Sequence, residues 1–168
     1  MNHFNTKLTI MNKFKAIWFC LFVLIVFYIY GAAMLDGFQA YPLYYIAGKS
    51  DKWVEYKNMA NKLALPIAAP SVLWTLICIP LIWLRPPAIP KITVWLSIIL
   101  IWASEIITTK MAWPIHGQLA VSYSDALVDK LLFIDRWYRK VPQTINLLLV
   151  LYMLFCVTKR SLHAKLSS

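Results

Sequence analysis

A carboxylate, a hydroxyl and an imidazole follow one another at helical spacing near the end of the third long apolar segment. Glu105, Thr109, Ala112 and His116 occupy positions i, i+4, i+7 and i+11 of one helical face. A glutamate and a histidine at one buried end of a bundle can donate and accept a proton. Because an ionisable residue inside a membrane span is costly and usually faces the interior, the spacing predicts Glu105 and His116 as a catalytic pair.

Structural roles would explain the same two residues. Glu105 would pair with Arg136 or Arg139 and hold the helices together, and His116 would be a hydrogen-bonded structural residue. The other two histidines of the chain lie in its terminal tails, so the spacing supports neither a zinc site nor a haem site. We therefore expect no metal and no cofactor.

Several aromatic and polar residues are placed to line a pocket beside this pair. Trp102 shares the stripe of the glutamate, and Trp113 comes shortly before the histidine. Asn61 and Asn146 are amides at the outer ends of apolar segments, where they either join helices by hydrogen bonds or line a polar pocket. The predicted substrate-binding residues are Trp102, Thr109, Trp113, Asn61, Asn146 and Arg139.

The composition indicates a membrane protein. Of 168 residues, 61% are hydrophobic and only 14% are charged, and the apolar residues are gathered into long runs. The net charge of +10 arises from lysines and arginines in the loops and tails that flank these runs, which favours anchoring over nucleic-acid binding. The three cysteines lie singly within apolar runs, as buried free thiols do.

Four apolar segments are predicted to be membrane spans, at about residues 14–34, 63–84, 92–112 and 143–158. The first also has features of a secretory signal, but its apolar run is longer than a usual signal, so we expect a retained span. Pro114 is predicted to end the third span and Pro142 to open the fourth. Amphipathic spacing predicts a short helix at 52–62 and another at 124–140.

The predicted fold is a single all-α membrane domain over residues 1–168. It is an antiparallel bundle of four transmembrane helices, with short interfacial helices in the two long loops. The tails and the turn between the second and third spans contain no acid, and their basic residues are Lys7, Lys13, Lys15, Arg85, Lys91, Lys159, Arg160 and Lys165. The positive-inside rule therefore predicts both termini in the cytoplasm, in a bacterial inner membrane.

With these residues placed, the chain resembles the four-helix membrane family that includes the fungal and bacterial anthrone oxygenases. The resemblance covers about residues 15–158 and is carried by Tyr41-Pro42, Asn61, Thr109, Pro114-Ile115-His116, Trp137 and Arg139. It implies oxidation of an electron-rich, phenol-like apolar substrate without an organic cofactor. It further implies that His116 is the base, that Glu105 orients or recharges it, and that Trp113 walls the pocket.

Three functions are consistent with the sequence. The first is a small membrane oxidoreductase acting on a lipophilic molecule through Glu105 and His116 at the outer end of the bundle. The second is a non-enzymatic subunit or scaffold that binds lipid or a partner membrane protein. The third is a proton- or ion-coupled transporter using Glu105. The expected partners are the bilayer and a lipophilic small molecule, not nucleic acid, with a homo-oligomer or a partner membrane protein as alternatives.

Overall fold

The computed structural model describes residues 2–63 and 65–166. Its α-helices are α1 (Asn2–Leu35), α2 (Tyr41–Ala47), α3 (Trp53–Leu63), α4 (Leu65–Cys78), α5 (Leu81–Leu84), α6 (Lys91–Ile107), α7 (Trp113–Val121), α8 (Asp125–Phe133) and α9 (Lys140–Leu166). Three π-helical turns are described as well: π1 (Asp36–Ala40), π2 (Thr108–Ala112) and π3 (Ile134–Arg139). The described residues contain no strand, which confirms the predicted all-α class.

Long helical rods mark the chain as a membrane protein. In the described residues, three rods are long and apolar enough to cross a bilayer, namely Lys13–Ala47, Lys91–Val121 and Asp125–His163. Each rod joins α-helices through one of the π turns. The first, third and fourth predicted segments lie within these rods. The rods are longer than those segments because each helix continues through a proline, namely Pro42, Pro114 or Pro142.

The structure shows no helix end at Pro114 and no separate helix start at Pro142, contrary to the prediction. The third segment continues through Pro114 to Val121, and the helix predicted at 124–140 runs without a break into α9. Pro114 and Pro142 each lie in the first turn of the helix that contains them. Each proline is accommodated in the continuing helix next to a π turn, which lies immediately before α7 and α9.

A widened turn precedes each of these prolines and also Pro42. Proline lacks an N–H, and its ring clashes with the carbonyl four residues earlier. In a π turn, an N–H reaches the carbonyl five residues earlier instead, and such local adjustments satisfy the backbone of membrane helices. The longer bonds run from Tyr41 to Asp36, from Trp113 to Thr108 and from Lys140 to Asp135.

The second predicted segment, 63–84, is divided in the structure. Helix α4 has 14 residues, α5 has four, and the chain turns between them at Ile79–Pro80. One residue of the segment, Ala64, lies outside the described residues. The break follows from Pro80, which cannot donate a hydrogen bond within a continuing helix.

An apolar cluster fills the space between the long helices. Helix α1 contacts α4 and α9, and α6 contacts the same two helices. Since lipid is as apolar as these side chains, packing rather than water exclusion favours their association. The buried members are Phe19, Phe22, Val26, Ile29, Trp74, Cys78, Leu81, Ile89, Val94, Ile98, Ile101, Val150 and Met153.

The short helices form a second core beyond the C-terminal ends of α1 and α6, which we name the cap cluster. Its buried members are Tyr41, Tyr44, Trp53, Ala112, Ile115, Leu119, Val128, Leu131 and Ile134. The indole of Trp53 donates a hydrogen bond of 2.7 Å to the carbonyl of Leu119, which ties α3 to α7. Helix α3 coincides with the short helix predicted at 52–62, and its Trp53 face is buried in the cap.

Candidate functional site

Lys57 lies at the centre of a polar group in the cap. Its side chain is almost fully enclosed, with 1% exposed. The ammonium Nζ lies 2.9 Å from the hydroxyl of Tyr44, 2.9 Å from Oδ1 of Asn61 and 2.9 Å from Nδ1 of His116. The three N–H groups of a lysine therefore have three partners, drawn from α2, α3 and α7.

None of these three partners is a carboxylate. Burial lowers the pKa of Lys57 from its usual 10.5 to about 8, because the charged amine loses its hydration. Asp36 acts in the opposite direction at longer range and favours the charged form. Burial thus brings the pKa of the Lys57 amine closer to neutral pH, as in catalytic lysines.

His116 has a defined orientation in this group. Its ring packs against the ring of Tyr41, with 5.8 Å between centroids. When Lys57 is an ammonium, Nδ1 of His116 must accept its hydrogen bond, so Nε2 carries the ring proton. When Lys57 is neutral, the same contact allows Nδ1–H to donate to the amine, which leaves Nε2 as a free base.

An ion-pair group centred on Arg139 adjoins His116 through Tyr41. The Arg139 guanidinium donates to Asp135 at 3.0 Å and to the Tyr41 hydroxyl at 3.1 Å. Lys140 lies 2.7 Å from the other oxygen of Asp135. The group is buried, with Asp135 1% and Arg139 8% exposed.

Residues of two π turns form the ion-pair group around Arg139. Asp135 and Arg139 belong to π3, and Asp36 belongs to π1. The two turns approach so closely at Gly37 that a β-carbon there would meet the Lys140 ammonium and lie 2.6 Å from Oδ2 of Asp135. π-helical turns within α-helices frequently occur at functional sites.

Polar contacts continue from Arg139 toward the apolar cluster. Gln143 donates to the Ser104 hydroxyl at 3.1 Å, and Ser97 bonds to Asn146. The second amide atom of both Gln143 and Asn146 is buried without a protein partner. These hydrogen bonds between serine hydroxyls and side-chain amides join α6 to α9. Between apolar helices, the loss of such a bond is costly.

The structure brings three of the predicted substrate-binding residues into these groups. Asn61 contacts Lys57, Arg139 contacts Asp135 and Tyr41, and Asn146 contacts Ser97. The contacts of Asn146 lie deeper, between the long helices, rather than in the cap. These residues were singled out from their polarity at the ends of apolar segments.

Glu105 and His116 have different partners. Glu105 is partly buried and forms a side-chain hydrogen bond with Ser71 of α4, whereas His116 contacts Lys57. Arg139 is close enough to act electrostatically on both. The ion pair of Arg139 within the described residues is with Asp135.

Three predicted site residues lie on the outer surface. Trp102 is 42% exposed and Trp113 is 59% exposed. Thr109 is exposed and bonds to the carbonyls of Glu105 and Ile106 in its own helix. The π2 turn, which lies between Glu105 and His116, changes the helical repeat, so the expected single stripe is not continuous.

Sequence reasoning did not single out Lys57, Tyr44 or Asp36 as site residues. One signal for Lys57 was present, because it lies four residues after Trp53 and four before Asn61 on α3. A lysine within an aromatic face of a helix is expected to be buried in part. No local sequence pattern predicts the contact between Lys57 and His116.

In the described part of the chain, no three His, Cys, Asp or Glu side chains are grouped so that they could hold a metal ion. Comparison with protein-family models, with characterised proteins and with solved structures gives no match. The site itself therefore carries the functional argument.

Proposed function

We propose that the chain is an integral membrane protein with four antiparallel crossings and both termini in the cytoplasm of a bacterial cell. Residues 65–84 would make one crossing in addition to the three long rods, since α4 and α5 both pack on α1 and α6. About 20 residues at 1.5 Å each match the ~30 Å hydrocarbon layer. The orientation rests on the acid-free basic tails and turn.

We further propose that it is an enzyme acting on a lipophilic, phenol-like molecule. The observation that carries this proposal is the 2.9 Å hydrogen bond between Nζ of Lys57 and Nδ1 of His116. A bundle needs no buried amine for its stability, because buried charges without a contacting counter-ion are destabilising. Side chains with shifted pKa values are concentrated at functional sites.

The proposed first step removes a proton from the substrate. With Lys57 neutral, Nε2 of His116 accepts the proton of a phenolic hydroxyl, and Nδ1–H passes its proton to Nζ of Lys57. The products are a substrate anion, a neutral His116 and a charged Lys57. The ammonium then stabilises the neighbouring anion, since opposite charges attract strongly where water is excluded.

The proposed second step is reaction of the electron-rich anion with dioxygen, which is the oxidant. Counted from the keto form of the substrate, a ring methylene becomes a carbonyl and dioxygen is reduced to water. The proton on Lys57 returns to the oxygen that leaves as water, which restores the neutral amine, so atoms and electrons balance without a further reductant. Arg139 and Tyr41 would hold the substrate oxygen, and Glu105 would balance the charge of Arg139. Trp102 and Trp113 would contact the apolar rings from the membrane side.

Oxygen uptake with anthrone as the probe tests this proposal. Purified protein in nanodiscs should consume dioxygen with anthrone and form the corresponding quinone. His116→Gln and Lys57→Met should abolish the reaction, and Glu105→Gln should reduce it. Lys62→Met, an exposed lysine on the same helix, is the matched control and should leave the rate unchanged.

A binding measurement separates the enzyme from a scaffold. Mass spectrometry of an organic extract of wild-type protein should detect a polycyclic or quinone-like molecule that is missing from the His116→Gln extract. Phospholipid alone in both extracts, together with no oxygen uptake, would contradict the enzyme and favour a non-enzymatic membrane subunit.

A further inference from the structure

A basic hollow lies at the end of the molecule opposite the cap. It has a volume of about 220 Å³ and lies between α5 and α6, where its lining includes Trp83, Arg85, Lys91 and Trp95. The apolar side chains of Ile82 and Val94 complete it. None of these residues takes part in the Lys57 or Arg139 groups.

The turn that holds the two cations is rich in proline. Arg85 ends α5 and Lys91 begins α6, and the intervening residues include Pro86, Pro87 and Pro90. Each proline restricts the backbone. The guanidinium of Arg85 also donates to the carbonyl of Ile89 across the turn, so its charge is held in place before any ligand arrives.

Charge at this end of the molecule is of one sign. The chain has seven acidic residues, and they are Asp36, Asp51, Glu55, Glu105, Asp125, Asp129 and Asp135. None lies in the turn or in the adjoining ends of α5 and α6. Arg85 and Lys91 therefore have no carboxylate within their own segment, and an anion from outside the chain is their complement.

The surroundings favour a lipid as the source of that anion. Trp83 is 68% exposed and Trp95 is 48% exposed, and tryptophan is enriched at the level of lipid headgroups. Ile82 and Val94 continue the hollow with apolar surface. Basic side chains near a membrane surface attract anionic lipids.

We propose that this hollow binds the phosphate of an anionic phospholipid. Arg85 and Lys91 contact the phosphodiester, Trp83 and Trp95 flank the glycerol region, and Ile82 and Val94 contact an acyl chain. The site is independent of the proposed enzyme activity, because it shares no residue with the cap.

Native mass spectrometry with equal amounts of phosphatidylglycerol and phosphatidylcholine tests the proposal. Wild-type protein should retain phosphatidylglycerol preferentially, and Arg85→Gln or Lys91→Gln should lower the retained fraction about fivefold each. The matched controls are Lys159→Gln and Arg160→Gln, which remove the same charge from the exposed end of α9. These controls should retain the lipid as wild type does.

Three results would overturn the proposal. Equal losses in the Arg85 and Lys159 variants would show diffuse attraction to a basic surface. Equal retention of the two lipids would show no preference for an anion. Displacement of the lipid by inorganic phosphate at millimolar concentration would show a site for free phosphate. Circular dichroism and size-exclusion profiles confirm that each variant is folded before it is compared.

Discussion

Nζ of Lys57 lies 2.9 Å from Nδ1 of His116, across 59 positions of sequence. The two residues come from α3 and α7, which the Trp53–Leu119 hydrogen bond holds together. The other contacts of Lys57, to Tyr44 and Asn61, are also with uncharged groups, so none of its three contacts is a carboxylate that would hold the proton on the amine.

Substitution of Lys57 should separate a proton-accepting role from a purely electrostatic one. Lys57→Arg keeps a positive charge, but a guanidinium stays protonated at any physiological pH and cannot accept a proton from His116. We expect Lys57→Arg and Lys57→Met to lower the rate of anthrone oxidation equally, by about 10²-fold or more. Near-normal activity in Lys57→Arg would contradict the relay and leave only charge stabilisation.

The rate of substrate oxidation should rise with pH through about 8. The relay requires neutral Lys57, and burial sets its pKa at about 8, so the active form is scarce at pH 6 and dominant at pH 9. Initial rates in nanodiscs at saturating anthrone should follow a single ionisation with that midpoint. A rate independent of pH between 7 and 9 would argue against Lys57 as the final acceptor.

Protein stability should also rise between about pH 8 and pH 10.5. The pKa of Lys57 is about 8 in the folded protein and 10.5 in the unfolded chain, so the unfolded chain binds more protons in this window. The free energy of unfolding then increases with pH, at no more than about 1.4 kcal/mol per pH unit. Thermal unfolding from pH 7 to 10 checks this, and Lys57→Met should have a flatter profile than Lys62→Met.

Gly37→Ala should destabilise the contact between π1 and π3. The added β-carbon would displace the Lys140 ammonium and press on Asp135, at a cost of about 1–3 kcal/mol. Gly31→Ala is the control, because nothing lies within 4 Å of its added carbon and alanine favours the helix. Thermal unfolding should therefore show a lower Tm for Gly37→Ala only.

A double substitution tests the cause of that loss. Because Lys140 is the nearest obstacle, Gly37→Ala combined with Lys140→Ala should be less destabilised than the sum of the two single changes. Additive effects would mean that the β-carbon is tolerated next to Lys140 and that the destabilisation arises elsewhere.

Pro114→Ala should lower activity without lowering stability. Alanine restores the missing N–H and removes the ring that favours the π2 turn, so the helix can return to α geometry between Glu105 and His116. That change would rotate His116 away from Lys57. We expect Tm to be unchanged or higher and oxygen uptake to fall, and unchanged values of both would contradict the link between the turn and the site.

The helical character of this chain could be read from local sequence. Long apolar runs such as 92–112 predict helices whatever their neighbours are, because hydrocarbon satisfies no backbone hydrogen bond and a helix satisfies all of its own. The cap helix α3 was predicted from its amphipathic spacing for a similar local reason. Breaks at Pro114 and Pro142 were predicted from proline chemistry alone, and the π turns before them are the local adjustment that this reasoning omitted.

The site depended on information that no local pattern contains. Glu105 and His116 were predicted to pair because they share a helical stripe. In the structure, Glu105 contacts Ser71 and His116 contacts Lys57. Which side chains meet depends on how α3 and α4 pack against α6 and α7, and on the phase that π2 adds between them. The sequence by itself determined that the chain is helical, apolar and basic at one end, because those properties belong to each segment separately. Only the tertiary structure decided that a buried lysine contacts the histidine, because that contact depends on the packing of distant helices.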